Sequence, residues 1–347
     1  MEKYAMKTLH AQYLEDLGVQ IFTRQGLDRE RAEFIAHTLV EANLTGHDSH
    51  GVAYYSAYSN RINEGHIDVK ADPKTVKETP SSALVDGGWA PGQVTAMYAM
   101  ELAVKKAKEN AVSAVGAYNC NHIGRVGYYT NWAAKQDIIA MMFVNVGNPS
   151  ATVFNGTTRV FGTNPISVAV PTGEASPFLL DYATSVVASG KVSVVRAKGE
   201  KMPLHWARDK DDNPTDDPAA YRDGGWLMPF GEYKGYGLQF VSELLGAVLT
   251  GSRLGLEGGM PPSPNGILVI ALNPEAFIGL EAFKEKADEL ITRVKGVKPQ
   301  KGKRVQTPGE PEWETKFKRF EGGIPLPDET WGNIVSLAKG LGIEVDE

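Results

Sequence analysis

The feature that most limits the fold of this chain is a series of short apolar runs, each bounded by turn residues. Six runs have the length of a buried strand, at residues 83–85, 112–115, 138–144, 166–170, 178–180 and 267–272. Stretches with apolar residues at helical spacing lie around them, near residues 9–21, 32–40, 91–104 and 237–248. Strands mixed with helices predict a layered fold of the α/β or α+β class.

The N-terminal part is predicted to be helical. Apolar residues recur at helical spacing up to Ile21, and Gly26 follows as a stop signal. Asp28 stands where an N-cap belongs, ahead of a second apolar series that ends at Gly46. We therefore expect two successive helices before the first polar motif.

Composition excludes several classes of protein. The 347 residues are 42% hydrophobic and 22% charged, with a net charge of -6 and no long block of one sign, so we expect no nucleic-acid partner. The apolar runs are far shorter than the roughly 20 residues that cross a bilayer, so we expect no membrane association. Cys120 is the single cysteine, and residues 1–5 are charged and lead into no apolar leader segment, which predicts a cytoplasmic protein.

Two polar stretches are predicted to be surface loops. Residues 197–226 are rich in Asp, Pro and Lys, and residues 296–314 carry four basic residues between positions 298 and 304. Long polar loops are common places for lids or partner contacts.

The usual nucleotide and metal fingerprints are missing. No G-x-G-x-x-G follows a predicted strand, and no P-loop pattern occurs. No H-E-x-x-H or C-x-x-C occurs either, so we expect no metal site.

The first candidate motif is GHDSHG at residues 46–51. In the functional interpretation His50 exchanges a proton, because imidazole titrates near neutral pH, and Ser49 or Asp48 orients it. The alternative is a capped loop with solvated histidines.

The second candidate motif is NCNHIG at residues 119–124, just beyond a predicted strand, where α/β folds place ligands. His122 could polarise a substrate carbonyl or share a proton relay. The alternative is an Asn/Gly turn with a hydrogen-bonded core histidine.

Other motifs suggest contacts with a phosphate or a ribose. Small hydroxyl residues follow strands at 162–165 (GTNP) and 181–185 (DYATS), where backbone N–H groups could approach an anion, although ordinary turns use the same residues. Lys234 lies among glycines at the start of an apolar helix. Residues 308–310 (PGE) could contact an adenosine or form a surface turn.

In this order, the motifs resemble the malate/L-lactate dehydrogenase family of the non-Rossmann type. Its members act on malate, sulfolactate, ureidoglycolate, diketogulonate and cyclic imino acids. The matching stretches span nearly the whole chain and lie at residues 46–52, 61–67 (RINEGHI), 121–129, 161–170 (FGTNPISVAV), 181–191 (DYATSVVASGK), 214–218 and 233–238.

The resemblance implies an α/β protein with a mixed-sheet, non-Rossmann nucleotide-binding fold and an N-terminal helical lobe. It also implies a homodimer that binds a small-molecule substrate between lobes. We expect residues 1–75 to form the helical lobe, 76–140 an α/β lobe completed by 235–295, and 141–234 the nucleotide-binding lobe. Residues 296–347 are expected to return to the cofactor site and the dimer interface.

The resemblance also implies site residues. His50 matches the proton-transfer histidine, His122 a second histidine that accepts the proton in some members, and Ser49 completes the catalytic set. We expect Tyr54, Asn121 and Thr163 to bind substrate. The implied nucleotide contacts are Asp181, Tyr182, Ala183, Thr184, Ser185, Val186, Val187, Tyr233, Lys234, Pro308, Gly309 and Glu310.

This sequence departs from the family at three positions. Many members carry an arginine three residues after the motif glycine, where it can clamp a carboxylate, and Tyr54 stands there in this chain. Val146 replaces a common serine, and Tyr182 replaces a common methionine. The change at Tyr54 puts malate-like recognition in doubt.

The predicted function is hydride transfer between NAD(P) and a small 2-oxo acid, 2-hydroxy acid or cyclic imino acid, with His50 supplying the proton. The basic residues 298–304 could reach a 2′-phosphate or could form a solvated surface loop. The expected cofactor is therefore NADP or NAD, with NADP preferred. One alternative is a homologue that binds a non-carboxylate ligand without catalysis, which Tyr54 favours and the two histidines oppose. A metal-dependent hydrolase using His47 and His50 would lack a ligand set.

Overall fold

A mixed seven-stranded sheet lies at the centre of the computed structural model, which describes residues 6–174, 176–259 and 264–345. The charged residues 1–5 lie outside the described residues. The strands are β1 Met6–Leu9, β2 Lys74–Glu78, β3 Ser82–Asp86, β4 Val112–Cys120, β5 Ile139–Val146, β6 Ile166–Val170, β7 Phe178–Tyr182, β8 Ala207–Arg208, β9 Pro214–Thr215, β10 Trp226–Leu227, β11 Asn265–Leu272 and β12 Ile324–Pro327.

Helices cover the sheet and form a separate layer. They are α1 Ala11–Arg24, α2 Arg29–Leu44, α3 Tyr54–Asn63, α4 Gly92–Asn110, α5 Gly127–Ala134, α6 Ser189–Ala197, α7 Pro218–Arg222, α8 Tyr233–Glu243, α9 Leu280–Lys295, α10 Glu310–Gly322 and α11 Asp328–Gly340. A π-helical turn, Leu244–Val248, continues α8. No helix in the described part of the chain combines the length and the apolar character needed to cross a bilayer.

The order of the strands confirms the predicted mixed-sheet, non-Rossmann α/β fold. The sheet runs β2-β3-β4-β11-β5-β6-β7, and β3 pairs with β4 in a parallel ladder that is connected through the crossover helix α4. The other ladders are antiparallel. A Rossmann unit would instead place parallel strands side by side.

Two main apolar cores lie in this fold. One joins the sheet to α4 and α5 through buried residues such as Met100, Val115 and Val269. The other belongs to the N-terminal helical lobe, where α1, α2 and α3 pack with β12 and α11, as Leu14, Ile35 and Ile334 show. The lobe is therefore completed by the C-terminal end of the chain.

The division into four parts remains a prediction. The sheet takes its strands from residues 76–140, 141–234 and 235–295 together, apart from the first residues of β2. β5 itself crosses the predicted boundary at residue 140. Any boundary there would run through one hydrogen-bonded sheet.

The local predictions agree with the structure in most places. The six apolar runs lie in β3, β4, β5, β6, β7 and β11, and the Asp28 carboxylate caps α2 by accepting a hydrogen bond from the Arg31 amide at 2.9 Å. The interpretation of residues 197–226 as a loop was wrong, because β8, β9 and β10 form a small sheet there. Buried Met202, Ala207 and Tyr221 of that segment belong to a small apolar core, to which Ala151 and Val192 also contribute.

The other predicted loop is shorter than expected. α10 begins at Glu310, so the stretch between helices covers residues 296–309. Gly309 precedes the helix with a φ of 96°, a backbone conformation that favours glycine.

Candidate active site

A cavity of about 220 Å³ lies between the N-terminal lobe and one end of the sheet. Six segments of the chain, far apart in sequence, supply its walls. The lining residues are His50, Tyr54, His122, Ile123, Gly124, Val126, Val144, Val146, Asn148, Ser150, Thr163, Pro165, Ala188, Ser189, Gly190, Ser193 and Asn265.

The motif at residues 46–51 forms a short turn between α2 and α3. Asn43 at the end of α2 accepts a hydrogen bond from the Val52 amide at 2.7 Å and donates one to Asp48 at 2.7 Å. Gly51 is needed at this turn, because a Cβ there would lie 2.0 Å from the Asn43 Oδ1 atom. The buried side-chain amide of Asn43 therefore holds the turn at Asp48 and at Val52.

Asp48 anchors the turn to a distant helix. Both of its oxygens bind the guanidinium of Arg319 in α10, at 2.6 and 3.1 Å. A two-point contact of this kind fixes orientation as well as distance. The Asp48 oxygens are directed at Arg319 and Asn43, so of the two residues expected to orient His50, Ser49 is the one that contacts its ring.

His50 lines the cavity with one ring nitrogen already occupied. The Ser49 Oγ atom lies 3.0 Å from His50 Nδ1, which leaves Nε2 for a substrate. Burial, with a smaller effect of His47, lowers the pKa of His50 from 6.5 to about 4. The imidazole is therefore neutral at physiological pH.

His122 follows β4 and lies beside His50, with ring centroids 5.7 Å apart and planes 16° from parallel. The ring of Tyr54 stacks on His122 at 4.4 Å and 8°. The Tyr58 hydroxyl lies 2.8 Å from His122 Nδ1, and the Gly124 amide donates to the same atom at 3.3 Å. Burial lowers the pKa of His122 well below 6.5.

The expected substrate-binding residues do not all face the cavity. Tyr54 and Thr163 line it. The Asn121 side chain is 1% exposed, and its amide donates to the carbonyl groups of His66, Trp89 and Ala90 at 3.1, 2.8 and 3.1 Å. This geometry supports a structural role for Asn121, because its donors are already used.

The expected nucleotide contacts begin at the end of β7. The Asp181 carboxylate accepts a hydrogen bond from the Gly127 amide at 2.8 Å and pairs with buried Arg125 at 3.4 Å. Thr184 donates to the carbonyl groups of Thr163 and Asn164 at 2.9 and 3.0 Å. The segment 181–187, which includes Tyr182, Ala183, Ser185, Val186 and Val187, therefore lies against the cavity wall at Thr163.

The N-terminus of α6 continues this wall and fits a nicotinamide nucleotide. Its N-cap residue, Ala188, makes no side-chain cap, which leaves first-turn amides available to a polar group of a ligand. A Cβ at Gly190 would lie 2.7 Å from the Ser49 Cβ atom, so the glycine allows α6 to approach the turn that carries His50.

The two remaining predicted nucleotide segments border the same region without lining the cavity. Tyr233 and Lys234 begin α8 and are exposed, and the preceding Phe230 donates its amide to the Thr184 carbonyl at 3.1 Å. Pro308 accepts a hydrogen bond from the Leu179 amide at 3.4 Å. Glu310 forms an ion pair with Lys295. Pro308 thus contacts β7 directly, whereas Tyr233 and Lys234 follow Phe230, which contacts the residues after β7.

Several residues that build the site were missed in the sequence. Buried Glu243 in α8 accepts hydrogen bonds from Asn145 at 3.2 Å and Asn164 at 2.7 Å, which ties the helix to β5 and the segment after it. Asn265 accepts one from the Ile123 amide at 3.1 Å, beside His122. Glu243 interrupts the apolar series of α8 in the sequence. Because a buried charge needs partners, this interruption was the signal that could have revealed its role.

Within residues 6–174, 176–259 and 264–345, no group of three or more His, Cys, Asp or Glu side chains is arranged to hold a metal ion. The polar groups that line the cavity are imidazoles, hydroxyls, amide side chains and backbone amides.

Comparison with known proteins identifies the family. The model of the malate/L-lactate dehydrogenase family matches residues 9–335. L-sulfolactate dehydrogenase from Methanocaldococcus jannaschii is 37% identical over 334 residues, which cover 95% of this chain and 96% of that protein.

Solved structures agree with this assignment. Malate dehydrogenase from Entamoeba histolytica superposes with a TM-score of 0.95 at 27% identity, covering 99% of this chain and 100% of that one. Delta1-piperideine-2-carboxylate reductase from Pseudomonas syringae gives a TM-score of 0.86 at 28% identity, covering 96% and 100%. The chain described here belongs to the malate/L-lactate dehydrogenase family and is an oxidoreductase.

Proposed function

We propose that this protein transfers a hydride between NAD(P) and a small 2-oxo acid, 2-hydroxy acid or cyclic imino acid. The observation that carries the proposal is the pair of stacked, neutral imidazoles of His50 and His122 at a cavity bordered by residues 181–190. The related proteins act on hydroxy acids and, in one case, on a cyclic imine, as their names state. When bound, the nicotinamide supplies the hydride chemistry.

His50 is the residue that exchanges the proton in this proposal. With its pKa lowered to about 4, neutral His50 takes the hydroxyl proton at Nε2 when a 2-hydroxy acid is oxidised. In the opposite direction a bound carboxylate raises the pKa of the imidazole, because a nearby negative charge favours its protonated form. Ser49 keeps the ring oriented in both states.

The cavity favours substrates with a single carboxylate. Among the described lining residues there is no lysine or arginine, so an anion would be held by neutral donors such as Ser150, Thr163 and the first amides of α6. Neutral hydrogen bonds bind a second carboxylate less well than a two-point arginine contact. Tyr54, at the family's arginine position, offers one hydroxyl.

NADP is the proposed nucleotide, on the strength of the basic segment 298–304. Lys298, Lys301 and Lys303 are exposed in this segment, whereas Arg304 forms an ion pair with Glu314. Lysines suit recognition of a 2′-phosphate as point charges. The ratio of kcat/KM for NADPH and NADH measures this preference, and a ratio below 1 would contradict it.

A homodimer is proposed from the exposed apolar face of α8 and the turn that continues it. Phe240, Leu244, Val248 and Leu249 are 42%, 43%, 57% and 63% exposed. A contiguous apolar patch of this kind marks an interaction surface. Light scattering on the purified protein measures the mass, and a monomer of 37.6 kDa would contradict the proposal.

We also propose a cytoplasmic location, supported by the single cysteine.

The reaction itself is tested by following NADPH and NADH oxidation with a panel of 2-oxo acids and cyclic imino acids. We expect turnover with at least one small monocarboxylate, and loss of that turnover in His50→Ala. Nucleotide and substrate binding without turnover across the panel would instead support the non-catalytic ligand-binding alternative, which the relatives do not favour.

A further inference from the structure

We propose that Tyr58 and Gln93 are positioning residues that hold His122 as the neutral tautomer with its proton on Nε2. His122 then donates a hydrogen bond to the substrate oxygen, while His50 alone exchanges the proton. The inference rests on the proposed function for the substrate oxygen, but the tautomer of His122 is a property of the free protein.

The first argument is the main-chain contact of His122. The Gly124 N–H group lies 3.3 Å from His122 Nδ1, and an amide can only donate. Nδ1 must therefore present its lone pair to this amide. A neutral imidazole with an acceptor at Nδ1 carries its proton on Nε2.

The second argument is the order of donors that leads to His122. The Gln93 side-chain amide donates to the Tyr58 hydroxyl oxygen at 3.0 Å, so the Tyr58 proton is left for another acceptor. The nearest acceptor is His122 Nδ1 at 2.8 Å, closer than the His122 carbonyl oxygen at 3.3 Å. The Gly124 amide and the Tyr58 hydroxyl therefore both donate to His122 Nδ1 and favour the tautomer with its proton on Nε2.

Burial makes this arrangement strong. Gln93, Tyr58 and His122 are 1%, 3% and 9% exposed, so water does not compete for these groups. Tyr54 stacks flat on the His122 ring and limits its rotation. Since Nδ1 is held on the protein side, the Nε2 proton is the one available to the cavity that His122 lines.

This arrangement separates the roles of the two histidines. A neutral imidazole N–H held in place stabilises the negative charge that develops on a carbonyl or alkoxide oxygen. Ser49 Oγ, the partner of His50, is a hydroxyl that both donates and accepts, so His50 keeps its partner whichever protonation state it adopts. A proton on His122 Nδ1 would break the hydrogen bonds that the Gly124 amide and the Tyr58 hydroxyl donate to this atom.

The tautomer can be measured directly by nitrogen NMR of protein labelled with ¹⁵N only in its seven histidines. The spectrum of His122→Gln assigns the His122 signals. At neutral pH we expect an unprotonated Nδ1 and a protonated Nε2 in the free wild-type protein. A protonated Nδ1 would overturn the proposal.

Variants test whether Tyr58 and Gln93 set this tautomer. Tyr58→Phe removes one donor, and we expect kcat to fall about tenfold with little change in KM. Gln93→Glu replaces the donor by an acceptor, which draws the Tyr58 proton away from His122, and we expect a larger fraction of Nδ1–H in the spectrum. An unchanged spectrum in Gln93→Glu, together with unchanged kcat in Tyr58→Phe, would overturn the assigned roles.

Tyr55→Phe is the matched control. Tyr55 is fully buried, and its hydroxyl donates to the Leu14 carbonyl at 2.8 Å, inside the N-terminal lobe. We expect lower thermal stability in this variant with an unchanged His122 spectrum and unchanged kcat. A protein that is inactive on all substrates contradicts the proposed function, whereas an active one with Nδ1–H on His122 contradicts this inference alone.

Discussion

The two histidine-bearing segments, residues 46–51 and 121–127, are held in place in different ways. His50 contacts a side chain of its own turn, and the turn is fixed from a distance by Arg319. His122 contacts a backbone amide and a buried tyrosine hydroxyl at a single ring nitrogen. The two adjacent imidazoles therefore differ in their partners, because the Ser49 hydroxyl can donate or accept a hydrogen bond, whereas the Gly124 amide can only donate one.

The largest expected effect comes from removing His50, the histidine whose ring nitrogen contacts the Ser49 hydroxyl. We predict that His50→Ala lowers kcat by about 100- to 10,000-fold, because a positioned acid or base contributes that much. Nucleotide affinity, measured by fluorescence titration, should stay close to the wild-type value. A variant that retains more than a third of wild-type kcat would remove His50 from the proposed mechanism.

The anchoring of the first segment is tested by Asp48→Asn. This change leaves the guanidinium of Arg319, whose side chain is 18% exposed, without its carboxylate. We expect a loss of about 1–3 kcal/mol in the free energy of unfolding, measured with denaturant, together with a lower kcat.

Asp28→Asn is the control for Asp48→Asn. Asp28 caps α2, and asparagine is an equally good N-cap, so the free energy of unfolding should change by less than about 0.5 kcal/mol. Equal losses in the two variants would show that the ion pair with Arg319 does not anchor the turn.

A smaller effect is expected at the ring that covers His122. Tyr54→Phe keeps the stacked ring and removes only the hydroxyl. We predict that KM for the acid substrate rises about fivefold with kcat nearly unchanged, the cost of one neutral hydrogen bond. If kcat falls more than KM rises, then the hydroxyl acts on the reaction and not on binding.

The smallest effect is the pH dependence. Burial lowers the pKa of His50 to about 4, so its basic form is lost only as the pH falls through that value. The kcat/KM for oxidation of a 2-hydroxy acid should therefore change less than about twofold between pH 5.5 and 8 through this group. A decline centred near pH 6.5 that disappears in His50→Gln would show that His50 titrates as an ordinary histidine.

Local features of the fold were predictable from the sequence, and long-range contacts were not. Spacing and capping residues predicted α2 with its cap at Asp28, and short apolar runs predicted six of the seven strands of the sheet. The mostly polar and exposed strand β2 was missed. The polar composition of residues 197–226 hid a small apolar core that includes Met202, Ala207 and Tyr221.

The site shows the same limit. The motifs around His50 and His122 were visible, because each is contiguous in the sequence. The contact between Tyr58 and His122 joins residues 64 positions apart, and that between Asp48 and Arg319 joins residues 271 positions apart. No local pattern encodes such pairs, since each contact joins segments that are far apart in the sequence.

The central position of β11 has a consequence for how the enzyme is made. This strand separates β4 from β5, and Asn265 at its start supports the segment that carries His122. On the ribosome, β4 and β5 emerge more than a hundred residues before the strand that must be inserted between them. Until then the edges of β4 and β5 that later pair with β11 are open, and open strand edges are prone to mispairing. The central sheet can therefore be completed only after the polypeptide has grown past residue 272.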